Sequence, residues 1–281
     1  MITGPLTWRN PRRLLTTAVI LFLDLIVLLW FAFPILWMFL SALKTQAGMF
    51  TMPPQWIFTP TLANYESMFE RGALLYFRNS LLTSLGTVAV ATTLGTLAGY
   101  GLARGRFRYK KNTAWWIITT RMAPIPAVLV PLYAIFRSLG VINSLPGLVF
   151  AFTTFSLPLA VWLMMGFFRE VPRDLEEAVW VDGGTTFRGF WDVALPLVKP
   201  GLIATATLSF IFSWNDYLFA TVLTSGATQT LPVVTASLQT MQGVVWGQVM
   251  SMGTLIFVPI LLLGIAIRKY LVRGLSLGAV K

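Results

Sequence analysis

The sequence predicts an all-α membrane protein with six transmembrane helices and a polar helix-turn-helix loop between the fourth and the fifth. The first observation behind this fold class is the composition: 56% of the 281 residues are hydrophobic and 11% are charged, whereas soluble domains carry about 25% charged residues. The second is a series of long apolar runs, since a membrane-spanning helix needs about 20 such residues. The third is the gathering of basic residues in alternate connections.

The predicted elements divide the chain into five parts. These are an N-terminal tail at 1–13, a first transmembrane helix at 14–43, an external connection at 44–78, a core domain of five helices at 79–268, and a C-terminal tail at 269–281. Inside the core, the predicted spans are 79–103, 113–136, a fourth ending near 168, 201–223 and 249–267, with the polar loop at 169–200.

The first apolar run is predicted to be a retained span. It is too long for a signal-peptide core and has no small-residue cleavage site. Pro34 is expected to kink it. The connection that follows is polar and proline-bearing, with a short helix expected near 62–71.

Prolines and glycines mark special points in two later spans. We expect the third span to be broken by its prolines, which are Pro124, Pro126 and Pro131. Glycines at helical spacing in the second span predict close approach of a neighbouring helix. They form two pairs, Gly95 with Gly99 and Gly101 with Gly105.

The basic residues fix the expected orientation. Of the 21 Lys and Arg residues, 16 lie in the two tails and in the loops after the second and fourth spans. Positively charged connections stay in the cytoplasm. The two termini and the loop 169–200 are therefore predicted to be cytoplasmic. The net charge of +11 then needs no nucleic-acid partner.

Several kinds of chemistry are excluded by missing residue types. The chain has no Cys and no His, which removes thiolate catalysis, histidine acid–base catalysis and the usual zinc sites. It has no Gly-Lys dipeptide, so it cannot form the phosphate loop of an ATPase. If ATP drives this protein, another subunit binds it.

The polar loop has its own local signals. Asp174 and Glu177 form a capping-box pattern, which predicts a helix from about Leu175 to Asp182. Gly183 and Gly184 are expected to end that helix. Thr185 or Thr186 can cap a second short helix that closes near Pro196. Leu175, Ala178 and Val179 share one face of the first helix, and the small Ala suits docking against another protein.

The same loop resembles the "EAA" loop of ABC-importer permeases. The matching positions are Glu177-Ala178-Val179, then Gly183, Val193 and Leu195-Pro196, with Val179 in place of the second Ala. The resemblance implies that the first helix docks in a groove of an ATPase subunit. Glu177 would make a charged contact, Ala178 would fit the groove, and Gly183 would set the turn. The implied coupling residues are Glu177, Ala178, Val179, Asp182, Gly183, Leu195 and Pro196.

Beyond this loop, nearly the whole chain resembles the MalG-like permeases of carbohydrate ABC importers. The resemblance rests on Leu129–Tyr133, Asn143-Ser144, Trp214-Asn215-Asp216 and the C-terminal residues 274–281. It implies half of a translocation pore in a bacterial inner membrane, paired with a second permease subunit, two ATPase subunits and an external solute-binding protein. This chain would carry no cofactor, and ATP with Mg²⁺ would lie on the ATPase subunits.

Three charged residues fall within predicted spans, namely Asp24, Arg121 and Asp216. Each would cost about 2.5–3.5 kcal/mol at the bilayer centre if it faced lipid. Two roles for these charges stay open. Arg121 and Asp216 form an internal ion pair, or they contact a sugar directly. Amide, carboxylate and aromatic groups suit a sugar path. The candidate path residues are Trp214, Asn215, Asp216, Tyr217 and Arg121.

The segment 224–248 is polar and uncharged. In maltose-type relatives this position faces the binding protein, so Thr240, Gln242 and Gly243 are candidate contacts. An ordinary solvated connection is the alternative. For the whole chain, the rival function is a self-contained secondary transporter or channel, which would show an internal repeat with broken half-helices. A membrane enzyme lacks a catalytic constellation.

Overall fold

The computed structural model describes residues 11–240 and 243–277. Parts of the predicted tails and Gln242 lie outside these residues. The elements in chain order are α1 Pro11–Ala42, α2 Gln46–Met49, α3 Ala63–Glu70, α4 Ala73–Arg104, α5 Lys110–Thr119, α6 Ile125–Ser138, α7 Leu145–Glu170, α8 Asp174–Val181, α9 Thr186–Arg188, α10 Leu195–Leu197, α11 Lys199–Trp214, α12 Leu218–Leu223, α13 Leu231–Ser237, β1 Gln239–Thr240, β2 Gly243–Val244 and α14 Trp246–Leu277.

The predicted all-α membrane fold is confirmed. Within the described residues, 4 helical segments are long and apolar enough to cross a membrane by themselves: Leu15–Ala42, Ala73–Arg104, Leu145–Glu170 and Trp246–Arg268. Two bent pairs also qualify, and counting each pair as one span brings the total to 6. The pairs are Lys110–Met122 with Ile125–Ser138, bent by 95°, and Thr186–Leu197 with Lys199–Trp214, bent by 73°.

The third predicted span is broken where its prolines begin. A 3₁₀ turn at Thr120–Met122 follows α5, and Pro124 then precedes α6 in an extended conformation. Proline lacks the N–H that would continue the hydrogen-bond ladder, and it disfavours a helical residue before it. Arg121 therefore lies in a break, where it is not part of a regular α-helix.

The fifth predicted span does not run unbroken from 201 to 223. α11 ends at Trp214, and α12 begins at Leu218. The Asp216 carboxylate accepts hydrogen bonds from the N–H groups of Phe219 at 3.0 Å and Ala220 at 3.3 Å. It satisfies backbone donors at the start of α12, as an N-terminal cap does. The single-helix prediction for this segment is wrong for that reason.

The predicted close approach of a neighbouring helix is found at one of the two glycine pairs. A Cβ added to Gly95 would lie 2.6 Å from Ala160 Cβ, and one added to Gly99 would lie 2.8 Å from Met164 Cβ. α4 and α7 therefore meet almost backbone to backbone. The other pair seats no neighbouring helix within the described residues: Gly101 faces open space, and a Cβ on Gly105 would meet the carbonyl of Gly101 and the ring of Phe107.

Two boundaries differ from the predictions. α4 starts at Ala73, so six residues assigned to the external connection are helical. The segment 224–248 is more than a loop, because α13 packs Leu231, Val233 and Val234 into the core. Composition alone identified its polar residues and missed this short apolar stretch. The predicted helix near 62–71 is present as α3.

The first helix is mostly without neighbours in this chain. No residue in its most apolar window is buried. Its last turns pack on α14, where the Phe39 and Phe257 ring centroids are 6.2 Å apart. Asp24 is exposed on the unpacked part. The Asp24 carboxylate therefore faces outward, away from the other helices of this chain.

Candidate functional site

The first helix of the polar loop begins one residue earlier than the capping box predicts. Arg173 is the residue before α8, it has helical dihedral angles, and no side chain caps the helix. Asp174 therefore lies inside the first turn together with Glu176 and Glu177. Carboxylates there interact favourably with the positive end of the helix dipole. The capping-box prediction is wrong, although the acidic start that suggested it still favours this helix.

The turn after α8 is built as the glycines predict. Gly183 has a φ of 80°, a left-handed conformation that glycine adopts without steric cost. The N–H of Gly184 bonds the carbonyl of Val179 at 2.8 Å. Thr185, and not Thr186, caps the next helix, because its hydroxyl accepts a hydrogen bond from the Arg188 N–H.

The second part of the loop is a continuous helical stretch, Thr186–Leu197, with a π-helical turn at Gly189–Ala194. Phe190 is buried in it and packs edge-on against Tyr100 of α4, with ring centroids 4.7 Å apart. Leu195 is half-buried against the same core, and Pro196 is exposed. The loop is thus packed against the end of α4 and does not extend freely.

A buried ion pair fixes α8 to α4. The Glu176 carboxylate is 2.7 Å from the Arg104 guanidinium, and the Tyr100 hydroxyl donates to its other oxygen at 2.7 Å. Arg104 also donates to the carbonyl of Val171 at 2.8 Å. The Glu176 residue is 2% exposed. Both charges are therefore paired and hydrogen-bonded, which a buried charge requires.

The sequence reasoning missed this anchor. No role was predicted for Glu176. No local signal distinguishes it, because Asp174, Glu176 and Glu177 are all carboxylates in the same first turn. The partner could not be identified, because Arg104 lies 72 positions away in sequence.

The opposite face of α8 is open. Leu175 is 45% exposed and Val181 is 87% exposed. Ala178, Glu177 and Asp182 are exposed with them, and Val179 is half-buried. Leaving large apolar side chains in water is unfavourable in free energy, so such a face favours a partner. The predicted face is thus largely free of contacts within the described chain.

The two helix breaks meet at a second site. A cavity of about 280 Å³ receives Arg121 from the break between α5 and α6, and Asp216 from the break between α11 and α12. The remaining lining is aromatic, hydroxyl and aliphatic: Phe152, Phe155, Phe212, Phe219, Ser156, Ser213 and Ile125. We call this space the charged cavity.

Arg121 and Asp216 do not pair with each other, although both lie in the described part of the chain. The Arg121 guanidinium lies 4.6 Å from the centroid of the Phe212 ring, a cation–π contact. Asp216 is held by backbone N–H groups of α12. Of the two alternatives for these charges, the ion pair is not formed in this conformation. Contact with a solute stays a prediction.

The other three candidate path residues do not line the charged cavity. Trp214 is 1% exposed, donates its indole N–H to the carbonyl of Ile256 at 3.0 Å, and stacks on Phe210. It has no free ring face for a sugar in this conformation. Asn215 and Tyr217 are exposed on other sides of the break, and the Asn215 amide bonds its own helix at Ile211. The contiguous sequence Trp214–Tyr217 therefore points in several directions.

The predicted binding-protein contacts fall at a small hairpin. Thr240 pairs with Gly243 in the β1–β2 register, and Gln242 lies outside the described residues. Gly243 has a φ of 120°. The Gln46 amide donates to the carbonyl of Val244 at 3.1 Å. The hairpin is thus held near α2, and its contact with a binding protein remains a prediction.

Comparison with known proteins identifies the family of this chain. Residues 91–277 match the family described as the inner membrane component of binding-protein-dependent transport systems. The chain belongs to this family. The trehalose transport system permease protein SugB of Mycobacterium tuberculosis is 36% identical to it over 92% of this chain and 96% of the relative. The diacetylchitobiose uptake system permease protein DasC of Streptomyces coelicolor is 33% identical over 94% and 95%.

A solved structure confirms the fold of this permease. A chain of a bacterial ABC transporter involved in the import of the acidic polysaccharide alginate superposes with a TM-score of 0.75, covering 93% of this permease and 98% of that chain. At 19% identity, the likeness establishes fold and no more. The resemblance and the membrane-component function inferred from the sequence are confirmed by the family match.

Proposed function

We propose that this permease forms half of the pore of an ATP-driven importer of a neutral sugar or sugar-like solute, and that α8 is the element that couples it to an ATPase subunit. The observation that carries the proposal is the two-sided character of α8. One side is locked to α4 through Glu176 and Arg104, and the other side exposes Leu175, Ala178 and Val181. A helix built this way can receive a partner on one side and pass its movement to a membrane span on the other.

The coupling depends on the stiffness of the connection. One oxygen of the Glu176 carboxylate bonds Arg104 and the other bonds Tyr100. These contacts join α8 to the last turn of α4. α4 is in turn seated on α7 through Gly95 and Gly99. A displacement of α8 therefore acts on two spans at once. ATP and Mg²⁺ would bind to the ATPase subunits, since this chain has no phosphate loop.

The exposed part of α1 is an argument for a second permease subunit. Its apolar side chains could face lipid, but Asp24 cannot do so cheaply, because a carboxylate at the bilayer centre costs about 2.5–3.5 kcal/mol. A helix of a partner permease with a polar or cationic group would meet this carboxylate. The loop 169–200 and both tails lie on the cytoplasmic side in this arrangement.

The charged cavity supports a polyhydroxylated solute. Aromatic faces pack against the C–H surfaces of sugars, while carboxylate, guanidinium and hydroxyl groups bond their hydroxyls. Four Phe residues and the polar groups of Arg121, Asp216, Ser156 and Ser213 supply both kinds of surface. The names of the two relatives contain trehalose and diacetylchitobiose, and both are neutral sugars of this class. The external binding protein would dock near the β1–β2 hairpin.

The test is energised uptake by the assembled transporter. Gly183→Pro should abolish uptake, because proline cannot adopt the φ of 80° found there. Glu177→Lys should abolish it by reversing an exposed charge on the open face of α8. Glu70→Lys, an equal charge reversal at an exposed residue of α3, is the control and should transport normally. Each variant is first checked for membrane insertion and for co-purification with the ATPase.

Two results would reject the proposal. One is normal ATP-driven uptake in both loop variants. The other is uphill transport by the permease alone in liposomes, insensitive to vanadate, which would identify a self-contained secondary transporter.

A further inference from the structure

A basic cavity lies at the loop-side end of the spans, separate from α8 and from the charged cavity. It has a volume of about 580 Å³ and lies between the start of α5 and the end of α7. Its cations are Arg108, Lys110, Lys111 and Arg169, and Trp115 and Trp162 border it. No Asp or Glu lines it.

These cations have no carboxylate partner among the described residues, where the ion pairs are Arg104 with Glu176 and Arg188 with Asp192. The Lys110 ammonium donates one hydrogen bond, to the carbonyl of Ala103 at 2.9 Å. A concave site with four converging positive charges and no counter-charge favours an anion. The positive-inside rule explains why the residues are basic, but it does not require that they surround one cavity.

The tryptophans indicate the depth of this site in the membrane. Trp115 is 62% exposed and Trp162 is 48% exposed. Trp115 follows Lys110 by five residues, which places it about 7.5 Å farther along the helix axis. Exposed tryptophan is enriched at the level of lipid headgroups, where its ring meets the apolar region and its N–H meets water. With the tryptophans at that level, the cations would lie at the level of the phosphates.

We propose that the basic cavity binds the headgroup of an anionic phospholipid, whose acyl chains extend into the membrane beside Trp115 and Trp162. Arg and Lys bind phosphate through charge-assisted hydrogen bonds, and Arg does so with two parallel bonds. Basic pockets between helix ends on the cytoplasmic side are typical sites for such headgroups. An acidic protein segment would account for the cations but not for the two exposed tryptophans beside them. The inference does not depend on the transported solute or on the role of α8.

The experiment measures lipid retention by the purified transporter. Native mass spectrometry compares dioleoylphosphatidylglycerol with dioleoylphosphatidylcholine on the wild type and on Arg108→Gln/Lys111→Gln/Arg169→Gln. The charge-matched control is Arg268→Gln/Lys269→Gln/Arg273→Gln in the C-terminal segment. Wild type and control should retain phosphatidylglycerol at least tenfold more tightly than phosphatidylcholine, and the cavity variant should lose this preference.

Three outcomes would overturn the proposal. Equal retention of phosphatidylglycerol by the wild type and the cavity variant would show that the cations bind no lipid. Full displacement of phosphatidylglycerol by millimolar inorganic phosphate would identify a free-anion site. Release of the lipid when the ATPase subunits bind would assign the cavity to a protein contact.

Discussion

Glu176 and Arg104 are enclosed and paired, whereas Arg121 and Asp216 line an open cavity and do not pair. In the first region every charged group has a fixed partner, including Tyr100 and the Val171 carbonyl. In the second region, the Arg121 guanidinium contacts an aromatic ring, and the Asp216 carboxylate accepts hydrogen bonds from backbone N–H groups. Under the proposed function, charged groups in this permease would serve two purposes. The enclosed pair would join elements through which movement passes, and the unpaired charges would be available to a solute where the helices break.

The largest expected effect tests the enclosed pair. Glu176→Ala leaves the Arg104 guanidinium buried without a counter-charge, and removing one partner of a buried pair costs about 3–5 kcal/mol. We expect this loss in the free energy of unfolding, measured by detergent denaturation of the purified permease. The matched control is Glu177→Ala, which removes the adjacent, exposed carboxylate. It should change stability by less than about 0.5 kcal/mol while weakening association with the ATPase subunit.

The comparison would fail if the two alanine variants were equally stable. In that case Glu176 would contribute no more than an exposed surface residue, and the connection between α8 and α4 would have to rest on the aromatic contacts alone.

An intermediate effect comes from Tyr100→Phe. It removes the hydroxyl that donates to Glu176 at 2.7 Å and keeps the ring that packs against Phe168 and Phe190. A hydrogen bond to a charged group contributes about 1.5–3 kcal/mol, so the same denaturation assay should show a loss in this range. In the Glu176→Ala background the substitution should add little, because its partner is already gone. Full additivity would show that the two groups act independently.

The smallest effect on stability is expected at the charged cavity. In Asp216→Asn the amide oxygen can still accept from the N–H groups of Phe219 and Ala220, so the stability should change by about 0.5 kcal/mol or less. Uptake should nevertheless fall at least tenfold at subsaturating solute, because the carboxylate available to the solute is lost. Asn215→Ala, one residue away and outside the cavity, is the control. A large loss of stability with normal uptake would make Asp216 a helix cap and nothing else.

The sequence was sufficient for the features that depend on local patterns. Hydrophobic length predicted the membrane helices, the prolines at 124 and 126 predicted the bend before α6, and the glycines at 183 and 184 predicted the turn after α8. Each of these follows from the geometry of a few consecutive residues. The fold class and family could therefore be inferred before any contact was known.

The features that failed depend on which helix face meets which neighbour. Trp214 looked like a sugar platform, yet Phe210, Phe77 and the Ile256 carbonyl enclose it. Glu176 looked incidental because Arg104 is far away in sequence. The break at Asn215 could have been suspected, since Asp216 favours a new helix start, but the apolar run around it argued for a continuous span.

The close seat of α4 on α7 restricts how this permease can move. Where two backbones touch at Gly95 and Gly99, one helix cannot slide or rotate past the other without a clash. In the proposed importer, the two helices would move as one rigid unit when the pore opens and closes. The bending would then fall at the helix breaks near residues 120–124 and 215–217, which contribute Arg121 and Asp216 to the charged cavity.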